Sequence, residues 1–181
     1  MPNYVLTGAP GAGKTAIVRQ LEVDGYPVVE EAATDVIALE HALGKPEPWA
    51  PPGFIDKIVE LQCRRQSAAD SRAGDVVFFD RSPVCTLALS RYLGCAESAR
   101  LQAEVARVLQ AGVYARTVFF VESLGFVTPT AARRISLADS LVFEEVHRRT
   151  YLEHGFQLVD VPPGPLSARV GLIRREAGLT V

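Results

Sequence analysis

The feature that most constrains the fold of this chain is a glycine-rich segment near its start, Gly8-Ala9-Pro10-Gly11-Ala12-Gly13-Lys14-Thr15. The segment matches the pattern G-x-x-x-x-G-K-[ST], in which glycines let the backbone curl so that successive N–H groups point at phosphate oxygens. A short apolar run, Tyr4 to Leu6, precedes it, and a helical pattern from Ala16 to Leu21 follows it. This order of strand, loop and helix predicts a phosphate-binding loop at the amino end of a helix.

Each part of this loop has a predicted role. We expect the backbone from Gly8 to Ala16 to hold the phosphates of a nucleotide, helped by the positive end of the helix dipole. The Lys14 ammonium would reach the β- and γ-phosphates, and the Thr15 hydroxyl would bind Mg²⁺. The predicted cofactors are therefore Mg²⁺ and ATP, with GTP as the second choice.

Length and composition favour a globular domain with a buried core. The chain has 181 residues, of which 48% are hydrophobic and 22% charged. Its formal net charge of -2 gives no support to nucleic-acid or membrane binding.

Three cysteines without a C-x-x-C pair disfavour a disulfide scaffold and a structural zinc site. No segment approaches the roughly 18 continuous apolar residues of a membrane span. We expect one cytoplasmic domain, residues 1–181, that binds a small-molecule phosphoryl acceptor; a homodimer is one open alternative for its oligomeric state.

Apolar runs alternate with helical patterns along the chain. The predicted strands are 4–6, 28–30, 75–80, 117–121 and 156–161, and the predicted helices are 16–21, 32–43, 54–72, 86–93, 97–109, 139–154 and 166–176. Five apolar strands separated by helices indicate a parallel sheet, because right-handed crossovers then place helices on both faces. The predicted fold class is α/β, a three-layer α/β/α sandwich with a five-stranded parallel sheet.

Ligands of open α/β sheets gather beyond the carboxyl ends of the strands. The third predicted strand ends in Asp80-Arg81-Ser82. Asp80 at this point would hold Mg²⁺ directly or through water, and the planar guanidinium of Arg81 would pair with phosphate oxygens. The alternative is that the acid caps the next helix, since Ser82-Pro83 is also a good helix start.

The second predicted strand ends in two carboxylates, Glu30 and Glu31. Adjacent side chains on a strand point to opposite sides, so at most one of them faces the cleft. That carboxylate would accept the proton of a substrate hydroxyl as its oxygen attacks the γ-phosphate. Glu30 is the first choice, Glu31 is the second, and a solvated strand end is the alternative. Asp35, one turn further on, is a candidate substrate contact.

Loops after the later strands carry further candidates. Arg133 and Arg134 lie in an irregular stretch, about 125–137, which we predict to be a lid whose arginines close over the phosphates. A solvated pair of surface arginines is the alternative. Pro162-Pro163-Gly164 follows the last strand and is a candidate to pass over the nucleotide base.

The tryptophan and the histidines have open or structural interpretations. Trp49, between prolines, would either stack on a flat substrate or anchor its loop on the core. Core or surface positions are expected for the histidines, which fall on helical patterns without metal-ligand spacing: His41, His147 and His154.

Taken together, these features resemble the P-loop kinases of nucleosides and nucleotides. Deoxynucleoside kinases carry an acid-Arg-Ser triplet and a strand-terminal glutamate of this kind. The resemblance implies a P-loop NTPase fold with Glu30 as the base, Asp80 near Mg²⁺, Arg81 on phosphate and a lid.

Along nearly its whole length the chain is most similar to the AAA-type ATPase/kinase domain family, which is itself similar to the ribosylnicotinamide kinase domain. The residues that carry this resemblance are Phe79-Asp80-Arg81-Ser82-Pro83, Tyr92-Leu93-Gly94, and the stretch from Tyr151 through Gly155 to Pro162. One position departs from the pattern, because Cys85 stands where an acid is expected.

We therefore predict an ATP- and Mg²⁺-dependent phosphotransferase that acts on a hydroxyl or phosphate of a nucleoside-like or nucleotide-like small molecule. The alternative is a nucleotide-dependent regulatory ATPase or GTPase switch. A guanine-specific Asn-Lys-x-Asp motif is absent, because Asn3 is the only asparagine. A motor ATPase is a third hypothesis, which the length of the chain disfavours.

Overall fold

The computed structural model describes residues 2–50, 53–70, 76–126 and 135–179, and over these ranges strands and helices alternate. In chain order the elements are β1 (Asn3–Thr7), α1 (Lys14–Val23), β2 (Val28–Val29), α2 (Ala32–Ala42), α3 (Phe54–Asp70), β3 (Val77–Asp80), α4 (Pro83–Tyr92), α5 (Ala99–Gln110), β4 (Thr117–Val121), α6 (Leu137–Glu153), β5 (Gln157–Val161) and α7 (Leu166–Glu176). The five strands form one parallel sheet in the order β2-β3-β1-β4-β5. The predicted α/β class and five-stranded parallel sheet are confirmed.

The central strands are buried on both faces, which explains their continuous apolar sequences. In β1, Leu6 packs with Phe78 of β3 on one face, while Val5 packs with Phe79 on the other. Helices α1 and α7 cover the first face, and helices α4 to α6 contribute to the second. Because all strands run parallel, their carboxyl ends meet at one edge of the sheet. None of the described helices has the length and apolarity needed to cross a bilayer.

Capping moves two helix boundaries from their predicted positions. Helix α4 begins at Pro83 instead of residue 86, because Ser82 is extended and proline fits the first turn of a helix. Helix α6 begins at Leu137 instead of residue 139, because the Ser136 hydroxyl accepts a hydrogen bond from the Asp139 backbone N–H at 3.1 Å.

Two predicted features fall partly or wholly outside the described residues. The predicted lid, about 125–137, lies mostly there, and so do both of its arginines, Arg133 and Arg134. Strand β3 begins at Val77, and residue 75, where we predicted its start, is also outside the described ranges.

The glycine-rich loop leaves β1 through a close approach to β4. Gly8 has a φ of +126°, and a Cβ built on it would lie 2.2 Å from the carbonyl oxygen of Val121. This contact brings the loop onto the carboxyl ends of the two central strands. Only a residue without a side chain fits there.

We expect Gly8→Ala to lower the free energy of unfolding by about 3 kcal/mol or more, because backbone strain and a clash with backbone act together. The matched control is Gly25→Ala, since Gly25 also has a positive φ, +92°, but an added Cβ has no atom within 4 Å. That control is expected to cost only about 1–2 kcal/mol. Chemical denaturation of the two variants measures the difference, and equal costs would show that the contact with β4 is unimportant.

Candidate active site

A cleft of about 520 Å³ opens at the carboxyl end of the sheet, beside the glycine-rich loop. One end of the cleft is charged, and we call it the phosphate end; its charged residues are Lys14, Glu31, Asp80 and Arg81. The other end, the acceptor end, is lined by apolar and aromatic side chains, among them Ile37, Trp49, Phe54, Ile58, Leu89, Tyr92 and Phe143. The cleft therefore joins a charged end to an apolar end.

The Lys14 side chain folds back onto the glycine-rich loop that precedes it. Its ammonium donates hydrogen bonds to the carbonyl oxygens of Gly8, at 3.0 Å, and Ala9, at 2.7 Å. Burial, and then the neighbouring Arg81 cation, lower the pKa of Lys14 to about 8 against the opposing effect of Asp80 and Glu31. Among the described residues its hydrogen-bond acceptors are the two neutral carbonyl oxygens, so this buried cation is suited to attract an anion.

Asp80 provides the test of the predicted magnesium site. Its carboxylate is buried, and its Oδ1 atom has no hydrogen-bond partner among the described residues. Burial, followed by the nearby Glu31 carboxylate, raises the pKa of Asp80 to about 6. An orphaned buried oxygen is costly unless a cation or donor meets it. Since Thr15 lines the same cleft, these two oxygen donors fit the ligand preference of Mg²⁺.

Arg81 lies at the centre of the phosphate end on a strained backbone. Its φ is +77°, in a region that non-glycine residues enter at a cost of about 1–3 kcal/mol. The Arg81 backbone N–H donates to the Leu6 carbonyl at 3.0 Å, which fixes the turn after β3. Its side-chain Nε donates to a carboxylate oxygen of Glu31, and its Nη1 lies 3.1 Å from Nε2 of His147. The strain therefore serves to aim the guanidinium into the cleft.

The structure brings Glu31, not Glu30, to the cleft. Glu31 lines it and also accepts a hydrogen bond from the Thr34 hydroxyl at 2.8 Å. Glu30 forms an ion pair with Arg19 at 2.7 Å, and its side chain is 49% exposed. The preference for Glu30 is therefore corrected, because β2 ends at Val29 and the extended backbone of Glu31 turns that side chain toward Arg81. A catalytic role for Glu31 stays a prediction.

The ionisation of Glu31 reflects opposing effects. Burial raises the pKa of its carboxyl, but the Arg81 and Lys14 cations and the Thr34 hydroxyl outweigh burial and lower it overall. Glu31 is therefore a carboxylate at neutral pH.

Asp35 does not reach the cleft. It forms an ion pair with Arg65 of α3, and its side chain is 51% exposed. The same Arg65 donates to the backbone carbonyls of Glu30, at 2.9 Å, and Glu31, at 2.8 Å. Asp35 is thus engaged with an arginine that holds the backbone of Glu31, and this placement gives no support to its predicted role as a substrate contact.

Trp49 anchors its loop on the core, which is one of its two predicted interpretations, while stacking on a substrate stays a prediction. Its ring lines the acceptor end and also packs against a core cluster that includes Phe54 and Ile58. The edge of the neighbouring His41 ring faces it, with centroids 6.3 Å apart. A loop anchored on the core therefore presents an aromatic wall to the pocket.

Cys85 belongs to a buried polar cluster under the cleft. Its sulfur lies 3.2 Å from the Thr7 hydroxyl and 3.0 Å from the Tyr151 hydroxyl, which is also 2.6 Å from the Ser82 hydroxyl. The cysteine that departs from the family pattern thus supports the turn that carries Arg81.

Two buried residues near the site gave no signal in the sequence. His147 of α6 is fully buried and contacts Arg81. Arg169 of α7 is also buried, and its Nη1 would lie 2.9 Å from a Cβ added to Gly13. The sequence pattern predicted helices α6 and α7, which carry these two residues. It could not show the tautomer of a histidine or a contact between elements that are distant in the sequence.

A glycine-rich loop at the first strand–helix junction, followed by an acid at the end of β3, defines the chain as a P-loop NTPase domain. The chain belongs to a family of this class, because the family model described as an AAA domain matches residues 3–169. No curated protein matches the chain in sequence.

Similar folds are found among solved structures, of which 276 chains match. Deoxyadenosine kinase from M. mycoides, solved with dCMP and dCDP, has a TM-score of 0.64 and 12% identity over 97% of this chain and 98% of that chain. The same kinase with bound dATP has a TM-score of 0.55 and 14% identity, over 98% and 100% of the two chains. NadR, solved in complex with NAD and AMP-PNP, has a TM-score of 0.69 and 16% identity over 99% of this chain. This chain spans only 50% of NadR. These matches confirm the predicted P-loop kinase fold.

The buried His147 is expected to make the free energy of unfolding depend on pH in the acidic range. Burial and then the neighbouring Arg81 cation lower the pKa of His147 from 6.5 to about 3. The unfolded chain therefore binds a proton below pH 6.5 that the folded chain does not, so this contribution to stability falls as the pH decreases from 6.5 toward 3.

As the pH decreases from 6.5 toward 3, we expect the free energy of unfolding of the wild type to fall relative to that of His147→Gln. The expected difference is up to about 1.4 kcal/mol for each pH unit. Urea denaturation at a series of pH values measures this difference. Stability curves that run parallel below pH 6.5 would contradict the assignment.

Proposed function

We propose that this chain is a Mg²⁺-dependent kinase that transfers the γ-phosphoryl group of ATP, or of GTP, to a hydroxyl of an uncharged nucleoside-like molecule. The observation that carries the proposal is the cleft itself, in which an anion site and an apolar pocket adjoin. Deoxyadenosine kinase and NadR, which share the fold, were solved with nucleotides bound, and this supports a nucleotide as the donor.

The phosphate end suits a triphosphate donor. The loop offers backbone N–H groups at the start of α1, and the Lys14 ammonium lies among them. A phosphate oxygen would replace the carbonyl oxygens that Lys14 contacts. Asp80 and Thr15 would hold Mg²⁺, which when bound supplies charge neutralisation at the phosphates.

Glu31 and Arg81 suit the transfer itself. Phosphoryl transfer depends mainly on positioning and on charge stabilisation, with little demand for a strong base. An ionised Glu31 would orient the acceptor hydroxyl and accept its proton as the new bond to phosphorus forms. Arg81, held beside it, would direct its remaining N–H groups at the phosphoryl oxygens.

The acceptor end favours an uncharged substrate. Among the described lining residues, all charged side chains lie at the phosphate end. The acceptor end offers instead aromatic walls and neutral polar groups, such as Gln62, whose amide oxygen accepts from the Thr86 hydroxyl at 2.9 Å. A second phosphate placed there would lose its hydration without meeting a described cation.

The decisive experiment compares nucleosides with their 5′-monophosphates as acceptors, with MgATP and MgGTP as donors. We expect the nucleosides to be favoured in kcat/KM by at least about tenfold, because an unpaired charge is costly to bury. Mass spectrometry of the products identifies the phosphorylated compound. Preference for the monophosphates would overturn the choice of acceptor. Nucleotide hydrolysis without transfer to any acceptor would overturn the kinase proposal.

The two adjacent glutamates provide a matched pair for the catalytic role. We expect Glu31→Gln to lower kcat by about 10²–10⁴-fold, because the acceptor hydroxyl loses its proton acceptor and Arg81 loses its partner. Glu30→Gln removes the same charge one residue away and is expected to leave kcat within about twofold. Steady-state kinetics and a thermal melt of each variant check this. A larger loss for Glu30→Gln than for Glu31→Gln would overturn the assignment.

A further inference from the structure

We propose that His147 is a positioning residue that fixes the guanidinium of Arg81 through a hydrogen bond from Arg81 to its Nε2 atom. The inference rests on the proposed function, in which Arg81 directs N–H groups at the transferred phosphoryl group. It concerns helix α6, which also contributes Phe143 to the lining of the cleft.

The hydrogen bonds of the ring assign its tautomer. Nδ1 of His147 lies 2.9 Å from the carbonyl oxygen of Phe143, one turn earlier in α6. A carbonyl accepts only, so Nδ1 carries the proton and donates. In a neutral ring Nε2 is then an acceptor, and it lies 3.1 Å from Nη1 of Arg81, which can only donate.

Burial keeps the ring in this neutral form. His147 is completely buried, and both burial and the Arg81 cation lower its pKa to about 3. The imidazole therefore cannot take up a proton from the reaction at neutral pH. At Nε2 the neutral ring can therefore only accept a hydrogen bond.

A neutral acceptor serves this position better than a second carboxylate. Glu31 already forms an ion pair with Arg81, so another anion would cancel the positive charge that the phosphates require. Nε2 of His147 orients one arm of the guanidinium without changing its charge. The side chain is then held at Nε by Glu31 and at Nη1 by His147. Among the described residues these are its two hydrogen-bond partners, so its other N–H groups would serve the substrate.

Aromatic side chains at the acceptor end hold the His147 ring in place. The edge of its ring meets the ring of Phe143, with centroids 4.2 Å apart, and Phe143 contacts Tyr92 with centroids 4.5 Å apart. Phe143 and Tyr92 both line the cleft. His147 thus connects the aromatic wall of the pocket to the arginine at its phosphate end.

Two polar substitutions separate the bond to Arg81 from the bond to Phe143. His147→Gln places an amide oxygen at the reach of Nε2 and keeps an acceptor for Arg81. His147→Asn keeps a donor for the Phe143 carbonyl, but its side chain is too short to reach Arg81. We expect His147→Asn to lower kcat by about 10- to 100-fold with little change in the KM for ATP, and His147→Gln to restore most of kcat.

A double-mutant cycle tests whether the effect passes through Arg81. In an Arg81→Lys background, which lacks the Nη1 donor, His147→Asn is expected to cause no further loss. Thermal melts of all variants accompany the kinetics. Equal kcat values for His147→Asn and His147→Gln, or full additivity with Arg81→Lys, would overturn the proposal in favour of a purely structural histidine.

A measurement that needs no turnover keeps this inference separate from the proposed function. Nitrogen-15 NMR of the histidine ring in the wild-type protein is expected to show Nδ1 protonated and Nε2 unprotonated, with the Nε2 resonance displaced in Arg81→Lys. Protonation on Nε2, or no displacement, would overturn the inference. If no acceptor is phosphorylated but these NMR results are obtained, only the proposed function fails.

Discussion

The ion pair between Arg81 and Glu31 is the interaction on which the rest of the site depends. It joins the turn after β3 to the turn after β2, and it is largely shielded from solvent, since the two side chains are 11% and 24% exposed. Removal of one partner would leave the other charge buried and unpaired, which is strongly destabilising. Arg65 holds the backbone beneath Glu31, and Leu6 holds the backbone of Arg81. The backbone of the pair is thus fixed by helix α3 at Glu31 and by strand β1 at Arg81.

Charge is distributed in the cleft so that each group changes the ionisation of its neighbours. Glu31 raises the pKa of Asp80, while Arg81 lowers the pKa of Lys14. Two cations and two carboxylates share a small buried volume, and one oxygen of Asp80 has no described partner. A cluster of coupled charges in a cleft is typical of a binding site, and the proposed Mg²⁺ would supply a partner for that oxygen.

Most of the fold could be predicted from the sequence, because the glycine-rich loop and the buried strands are local patterns. The choice between Glu30 and Glu31 could not, since β2 is only two residues long and the backbone of the following turn decides which side chain faces the cleft. Asp35 was a candidate substrate contact because it lies one turn beyond the two glutamates, and its partner Arg65 is too distant in the sequence to be recognised. His147 looked like an ordinary core residue for the same reason, as its contact with Arg81 exists only in the folded chain.

The contacts of Lys14 with its own loop have a consequence for the proposed function. The ammonium donates to the carbonyl oxygens of Gly8 and Ala9, so the loop supplies internal acceptors of its own. Under the proposed function, departure of a nucleotide would replace one set of hydrogen bonds by another, and the Lys14 cation would keep acceptors throughout. The free energy cost of release would be smaller by the contribution of these internal bonds.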